Sequence, residues 1–264
     1  MIFLSVFIPC LLLGAIVGLL AGMLGIGGGL LIVPVLVWLL PQLGFPLEVI
    51  LPVSLATSLA TIVMTSASAT LSHYKAGNIP WGLTKSLVLF TAIGAVLGAN
   101  LADILPAQVL TSLFAFFVIC LALYMLFSIR ITTQRQLPST MVLKSVATST
   151  GIIASLMGIS GGAILIPYLT HCGVNLRHAI GVSTSCGMIV ALFGTLAFMI
   201  AGLNNPLLPS FSAGYIYLPA VIGIAFSSTL TAKFGVKLAS KLPVKTIKKA
   251  FAAFLICVAI NMMI

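Results

Sequence analysis

Long apolar runs separated by short polar turns organise this chain. They fall at about 2–24, 30–40, 46–71, 81–104 and 107–128, and again at 141–157, 163–172, 178–201, 214–232 and 246–264. Most come close to the roughly 20 residues that a helix needs to cross a bilayer. Two are half as long. Eleven helical residues, as in 30–40, rise roughly 16 Å, about half of a hydrocarbon core of roughly 30 Å. Each short run follows a glycine-rich stretch, "GIGGG" (Gly25–Gly29) before the first and "GISGG" (Gly158–Gly162) before the second. Glycine weakens a helix by about 1 kcal/mol relative to alanine, so both stretches read as deliberate interruptions.

The pattern occurs twice. "GIGGGLLIVP" (Gly25–Pro34) lies over "GISGGAILIP" (Gly158–Pro167), "GANLADILP" (Gly98–Pro106) over "GVKLASKLP" (Gly235–Pro243), and "FAFFVICLA" (Phe114–Ala122) over "FAAFLICVA" (Phe251–Ala259). Thr57-Ser58 similarly answers Thr184-Ser185. Three ordered blocks at nearly constant offset divide the chain into a first repeat, 1–129, a linker, 130–140, and a second repeat, 141–264. The reading is an all-α polytopic membrane protein of two homologous halves with 8–10 membrane segments. In transporters built this way the ligand site lies between the halves near the midplane.

Composition agrees: 61% of residues are hydrophobic and 5% charged, too apolar for a water-facing surface. The first twenty residues lack the basic start of a signal peptide and have a counterpart mid-chain, so they read as structural. The net charge of +10 comes from 12 Lys and Arg against two acids, and it decides the orientation of the halves. If each glycine stretch only interrupts a straight crossing helix, the halves are parallel and the cations divide between both faces, against the positive-inside rule. If each is the tip of a hairpin, the second half is inverted. All twelve cations then share the cytoplasmic face with the linker, while Glu48 and Asp103 share the other face with both termini. The second arrangement is expected, in a plasma (inner) membrane.

The tips carry the candidate chemistry. Irregular backbone at membrane depth is tolerated only inside protein or along a wet cavity, so the two tips are expected to meet near the centre. Each leads into a helix whose first-turn N–H groups lack partners and whose dipole favours an anion. Glycine lets backbone approach a ligand without an intervening Cβ. Gly27, Gly28, Gly29, Ser160, Gly161 and Gly162 are therefore the expected binding residues, with the hydroxyls of Thr57, Ser58, Thr184 and Ser185 beside them. The alternative for the glycines is close helix packing, and for the hydroxyls a bond back to their own helix. Alanine at Gly28 or Gly161 is expected to impair transport more than folding. No Lys or Arg falls at mid-depth, where it would be costly, so an anion would be held by neutral donors; Lys85 and Lys233, near helix ends, could recruit it at the entrance.

Other chemistries find little support. The five cysteines are scattered without metal-ligand spacing, so no cofactor or metal is expected. No basic patch interleaves with aromatics, which argues against nucleic acid. His73, His171 and His178 fall near the cation-rich face and read as loop residues. No Ser/His/Asp arrangement or mid-depth acid points to an enzyme. The expected partners are a small anion and the lipid bilayer, the function that of a carrier or, alternatively, an anion channel using the same backbone nest.

The twin "GxGGG…P" and "GxSGG…P" stretches, the hydroxyl pairs and the "G-x-x-L-A-x-x-L-P" blocks resemble the sulfite exporter TauE/SafE family over nearly the whole chain. The resemblance implies an integral plasma-membrane transporter of small sulfur-containing anions such as sulfite, thiosulfate or an organosulfonate. Ser160 stands where the first tip has a glycine, so the two tips need not bind equivalently.

Overall fold

The computed structural model describes residues 2–24, 28–126, 137–239 and, near the C-terminus, 252, 253, 255–257 and 259. Gly27, most of the 130–140 linker and much of the expected 246–264 segment lie outside the described residues.

The chain is an all-α membrane protein. Its helices are α1 (Ile2–Leu24), α2 (Gly29–Gln42), α3 (Leu47–Lys75), α4 (Trp81–Ile104), α5 (Ala107–Leu126), α6 (Thr140–Leu156), α7 (Gly162–His171), α8 (Leu176–Ala201) and α9 (Leu218–Ala239). Among the described residues, four helices are long and apolar enough to cross a membrane: Leu47–Lys75, Trp81–Ile104, Ala107–Tyr124 and Leu176–Ala201. The short α2 and α7 begin at the glycine tips, as their apolar lengths predict.

One expectation fails locally. The apolar run at 214–232 reads as helix from its start, yet α9 begins only at Leu218. Residues 212–217 instead form a two-stranded antiparallel hairpin, β1 (Ser212–Ala213) and β2 (Ile216–Tyr217), with Ser212 opposite Tyr217. Gly214, at φ +57°, makes the turn, a conformation that L side chains rarely adopt. Pro219 then sits in the first turn of α9, where its missing N–H does no harm.

Glycine-mediated packing joins early helices to late ones. Gly14 and Gly18 of α1 lie against the Ile224 and Ser228 backbone of α9, so closely that a methyl at either would collide. Gly94 and Gly98 of α4 lie in the same manner against Thr148 and Ile152 of α6. In both pairs the residue numbers rise together, so the helices run parallel. Small residues that let backbones meet are the usual means of helix association in lipid, where no hydrophobic drive acts between helices. At the centre α3 crosses α8, with Gly194 of α8 against Leu59 of α3.

The charges separate by end. Gly181 of α8 rests on the Asn78 carbonyl in the α3–α4 turn, so the start of α8, with Arg177, lies beside the end of α3, with Lys75, and the start of α4, with Lys85. Lys144 of α6 joins that end with its Nζ 5.1 Å from the centre of the Phe90 ring. The hairpin lies at the other end. Tyr217 packs edge-on against Phe45 before α3, and Tyr215 against Phe198 near the end of α8. Tyr215 also donates from its hydroxyl to Asp103 Oδ1 at 2.8 Å, and Glu48 opens α3 at this same end.

Candidate functional site

The second tip is a tight, ordered turn. As α6 ends, the amides of Gly158 and Ile159 donate to the Ser155 and Ala154 carbonyls. Gly158 (φ +61°) and Gly161 (φ +70°) are both left-handed, and Gly161 is the N-cap of α7. The Ile164 and Leu165 amides turn back to the Gly161 carbonyl. The Gly162 and Ala163 amides, ahead of them, lie at the first turn where a helix supplies no acceptor. A Cβ at Gly162 would meet nothing closer than Ser160 Oγ at 3.7 Å and Ile166 Cδ1 at 3.8 Å. A methyl at Gly162 would thus make only ordinary contacts, at a helix start edged by the Ser160 hydroxyl and by first-turn amides for which the helix supplies no acceptor.

The described end of the first tip, Gly28 and Gly29, is closed by protein. Gly28 caps α2 in an ordinary right-handed conformation, φ −75°. A methyl there would run into Val17 of α1. A methyl at Gly29 would strike the Gly158 carbonyl oxygen and press Ile159 Cα at 3.1 Å and Ile62 Cδ1 at 2.9 Å. The two tips therefore touch, as expected, but at Gly29 the space opened by glycine holds a protein carbonyl. Gly158 is in turn wedged between α2 and α3, with Val33 Cγ2 2.8 Å and Leu55 Cα 3.2 Å from where its Cβ would stand.

The four hydroxyls divide the same way. Both from α3 reach into the second half of the chain. Ser58 Oγ donates to the Gly158 carbonyl at 2.7 Å, and Thr57 Oγ1 accepts from the Tyr217 amide at 3.1 Å. Both residues are fully buried. The α8 pair bonds back to its own helix: Thr184 Oγ1 to the Ile180 and Gly181 carbonyls, and Ser185 Oγ to that of Gly181. One turn beyond, Gly187 of α8 lies 2.6 Å, measured from an added Cβ, from the Ser160 carbonyl oxygen, which seats the second tip on α8.

Three buried hydroxyls near this tip escape the sequence reading or rank low in it. Thr150 Oγ1 and Ser155 Oγ of α6 and Ser183 Oγ of α8 have no partner among the described residues. Thr150 stands next to the tip, with its Cγ2 3.1 Å from a Cβ built on Gly161. The available signal was the hydroxyl-rich "TST" at Thr148–Thr150 just ahead of the glycine stretch. A buried hydroxyl without a partner is costly in a protein interior, and such groups call for an explanation.

At the hairpin end, Asn205 Nδ2 donates to Tyr215 Oη at 3.2 Å, completing a chain that ends on Asp103. Burial, and then the hydrogen bond to the Asp103 carboxylate, raise the Tyr215 phenol above its ordinary pKa, so it stays protonated and donating at neutral pH. Among the described residues no three of His, Cys, Asp and Glu come together as a metal site.

Comparison with known proteins extends this picture. A family model described as Sulfite exporter TauE/SafE matches residues 10–262. A "probable membrane transporter protein" of Haemophilus influenzae is 43% identical over 256 residues, covering 96% of each chain. A second protein of that name and organism is 29% identical and spans all of this chain and 98% of its own. A "probable membrane transporter protein" of Methanocaldococcus jannaschii is 25% identical over 93% of this chain and 91% of its own. No solved structure matches the chain.

Proposed function

The chain belongs to the sulfite exporter TauE/SafE family and is a membrane transporter of that family; from that premise we propose that it carries a small sulfur-containing anion (sulfite, thiosulfate or an organosulfonate) across the plasma membrane, in which it is multi-pass. The anion would be held at the interface of two inverted halves. The observation that carries this reading is the start of α7. The first-turn Gly162 and Ala163 amides and the Ser160 hydroxyl meet there, a methyl at Gly162 would make only ordinary contacts, and Thr150 Oγ1, buried and without a partner among the described residues, lies alongside. A helix start of this kind favours negative charge through its amides and its dipole, without the expense of a buried lysine or arginine. Gly29 and Ser58 support the tip from the other half, both meeting the Gly158 carbonyl, and Gly187 of α8 meets the Ser160 carbonyl.

The inverted arrangement draws support from helix direction. α1 corresponds to α6 in the repeat, yet α1 runs parallel to α9 from the hairpin end, and α6 runs parallel to α4 from the cation end. The gathering of Lys75, Lys85, Lys144 and Arg177 at one end supports a cytoplasmic placement of that end by the positive-inside rule.

Reconstituted vesicles test the reading. Flux of labelled sulfite or thiosulfate should saturate and should be stimulated by the same anion on the far side, with taurine and sulfate as comparison solutes. Flux that rises linearly with concentration, without counterflow, would make the protein a channel. Absence of flux for every sulfur anion would overturn the substrate assignment.

A further inference from the structure

At the cation-rich end α3 and α4 diverge from the short turn that joins them and leave a groove of ≈ 590 Å³ between them. Ala67, Thr70, Leu71 and Tyr74 line it from α3, and Trp81 and Lys85 from α4. We propose that this groove binds an anionic glycerophospholipid of the leaflet on the Lys75 and Lys85 side. The inference rests on the chain's lying in a bilayer and not on the anion path proposed above.

The faces of α4 argue for lipid. Its inward residues, Thr84, Leu87, Thr91 and Ala95, are buried. Trp81, Lys85, Leu89, Ile93, Leu97 and Leu101, at successive four-residue intervals, are all exposed. An exposed apolar stripe along a membrane helix faces acyl chains, so Lys85 lies on the lipid-facing side, away from the buried tips. The groove caps this stripe. Its floor is apolar, its rim carries an aromatic pair, and Lys85 is the one charged residue that lines it. Tyr74 and Trp81 meet edge to face at 6.0 Å, the arrangement and position of an interfacial aromatic belt. Thr70 Oγ1, within the lining, is buried and has no partner among the described residues. A phosphodiester placed between Lys85 and Thr70 would satisfy both groups and leave its acyl chains along Leu89, Ile93 and Leu71. A lysine near the surface supplies a preference for anionic over zwitterionic headgroups of roughly five-fold.

The chain has two tryptophans, so Trp38→Phe, at an exposed position of α2, leaves Trp81 as sole reporter. The full-length variant is reconstituted into phosphatidylcholine vesicles containing either brominated phosphatidylglycerol or brominated phosphatidylcholine, whose bromines quench tryptophan on contact. Half-maximal quenching should need about five-fold less of the brominated phosphatidylglycerol. Adding Lys85→Gln should bring the two lipids to equality, and Lys85→Arg should keep the preference. Equal quenching by both lipids with Lys85 present would overturn the proposal. So would relief of quenching by millimolar sulfite or sulfate, which would make the groove a site for soluble anions. Absence of quenching by either lipid would do the same, since this face would then be covered by protein, such as a second copy.

Discussion

The two glycine tips begin from nearly the same sequence and end in different physical situations. At the first, glycine serves protein packing: Gly29 gives way to the Gly158 carbonyl, and Gly28 to Val17. At the second, glycine serves conformation: Gly158 and Gly161 are left-handed, and a methyl at Gly162 would make only ordinary contacts. The hydroxyls follow suit, with α3 reaching across to the other half and α8 bonding to itself. A duplicated motif thus supports a division of labour, in which Gly29 and α3 brace the second tip, the one proposed above to hold the anion. This runs against the expectation that Gly28→Ala spares folding, since a methyl there collides with Val17 and perturbs packing directly.

The comparison breaks most readily at the glycines. Gly29→Ala forces a methyl against backbone and is expected to destabilise the protein by about 3 kcal/mol, the upper range for overpacking. Gly162→Ala should lie within about 0.5 kcal/mol of wild type, because its methyl makes only ordinary contacts. Thermal unfolding in detergent, followed by size-exclusion, reads both. Equal losses would erase the distinction between the tips.

The serines come next. Ser58→Ala leaves the buried Gly158 carbonyl without its donor and should cost about 2 kcal/mol. Ser185→Ala removes only a bond within its own helix and should cost about 0.5 kcal/mol or less. The same unfolding assay separates them. The smallest contrast is at the threonines: Thr57→Val should cost about 1 kcal/mol through loss of the acceptor for the Tyr217 amide, and Thr184→Val less than that. If Thr184 proved the more sensitive, α8 and not α3 would be the bracing helix.

Much of the architecture was legible because it is written in local pattern. The α4 span matches its apolar run at 81–104 end for end, and the shortness of α2 and α7 follows from their apolar lengths. The meeting of the tips followed from the physics of backbone in lipid. The division of labour between them was not legible. Ser58 finds its acceptor 100 residues away and Thr57 its donor 160 away, and no local rule selects between such a bond and one to the preceding turn. The hairpin was hidden because Gly214 to Leu218 is as apolar as the helix that follows; only the glycine and Pro219 marked the boundary. Nothing in the sequence singles out Thr150, because hydroxyls in membrane helices usually bond to their own backbone and only the fold shows that this one does not.

The most direct test of the central claim, that the start of α7 holds the anion, is the stabilisation that thiosulfate or sulfite gives to Gly162→Ala compared with wild type. For wild type, anion at one hundred times its Kd should raise the unfolding free energy by roughly 2.7 kcal/mol. The account predicts that Gly162→Ala unfolds like wild type without ligand but loses half or more of that ligand-dependent gain, as a ten-fold or greater loss of affinity requires. A variant that is stabilised by the anion as fully as wild type would contradict it.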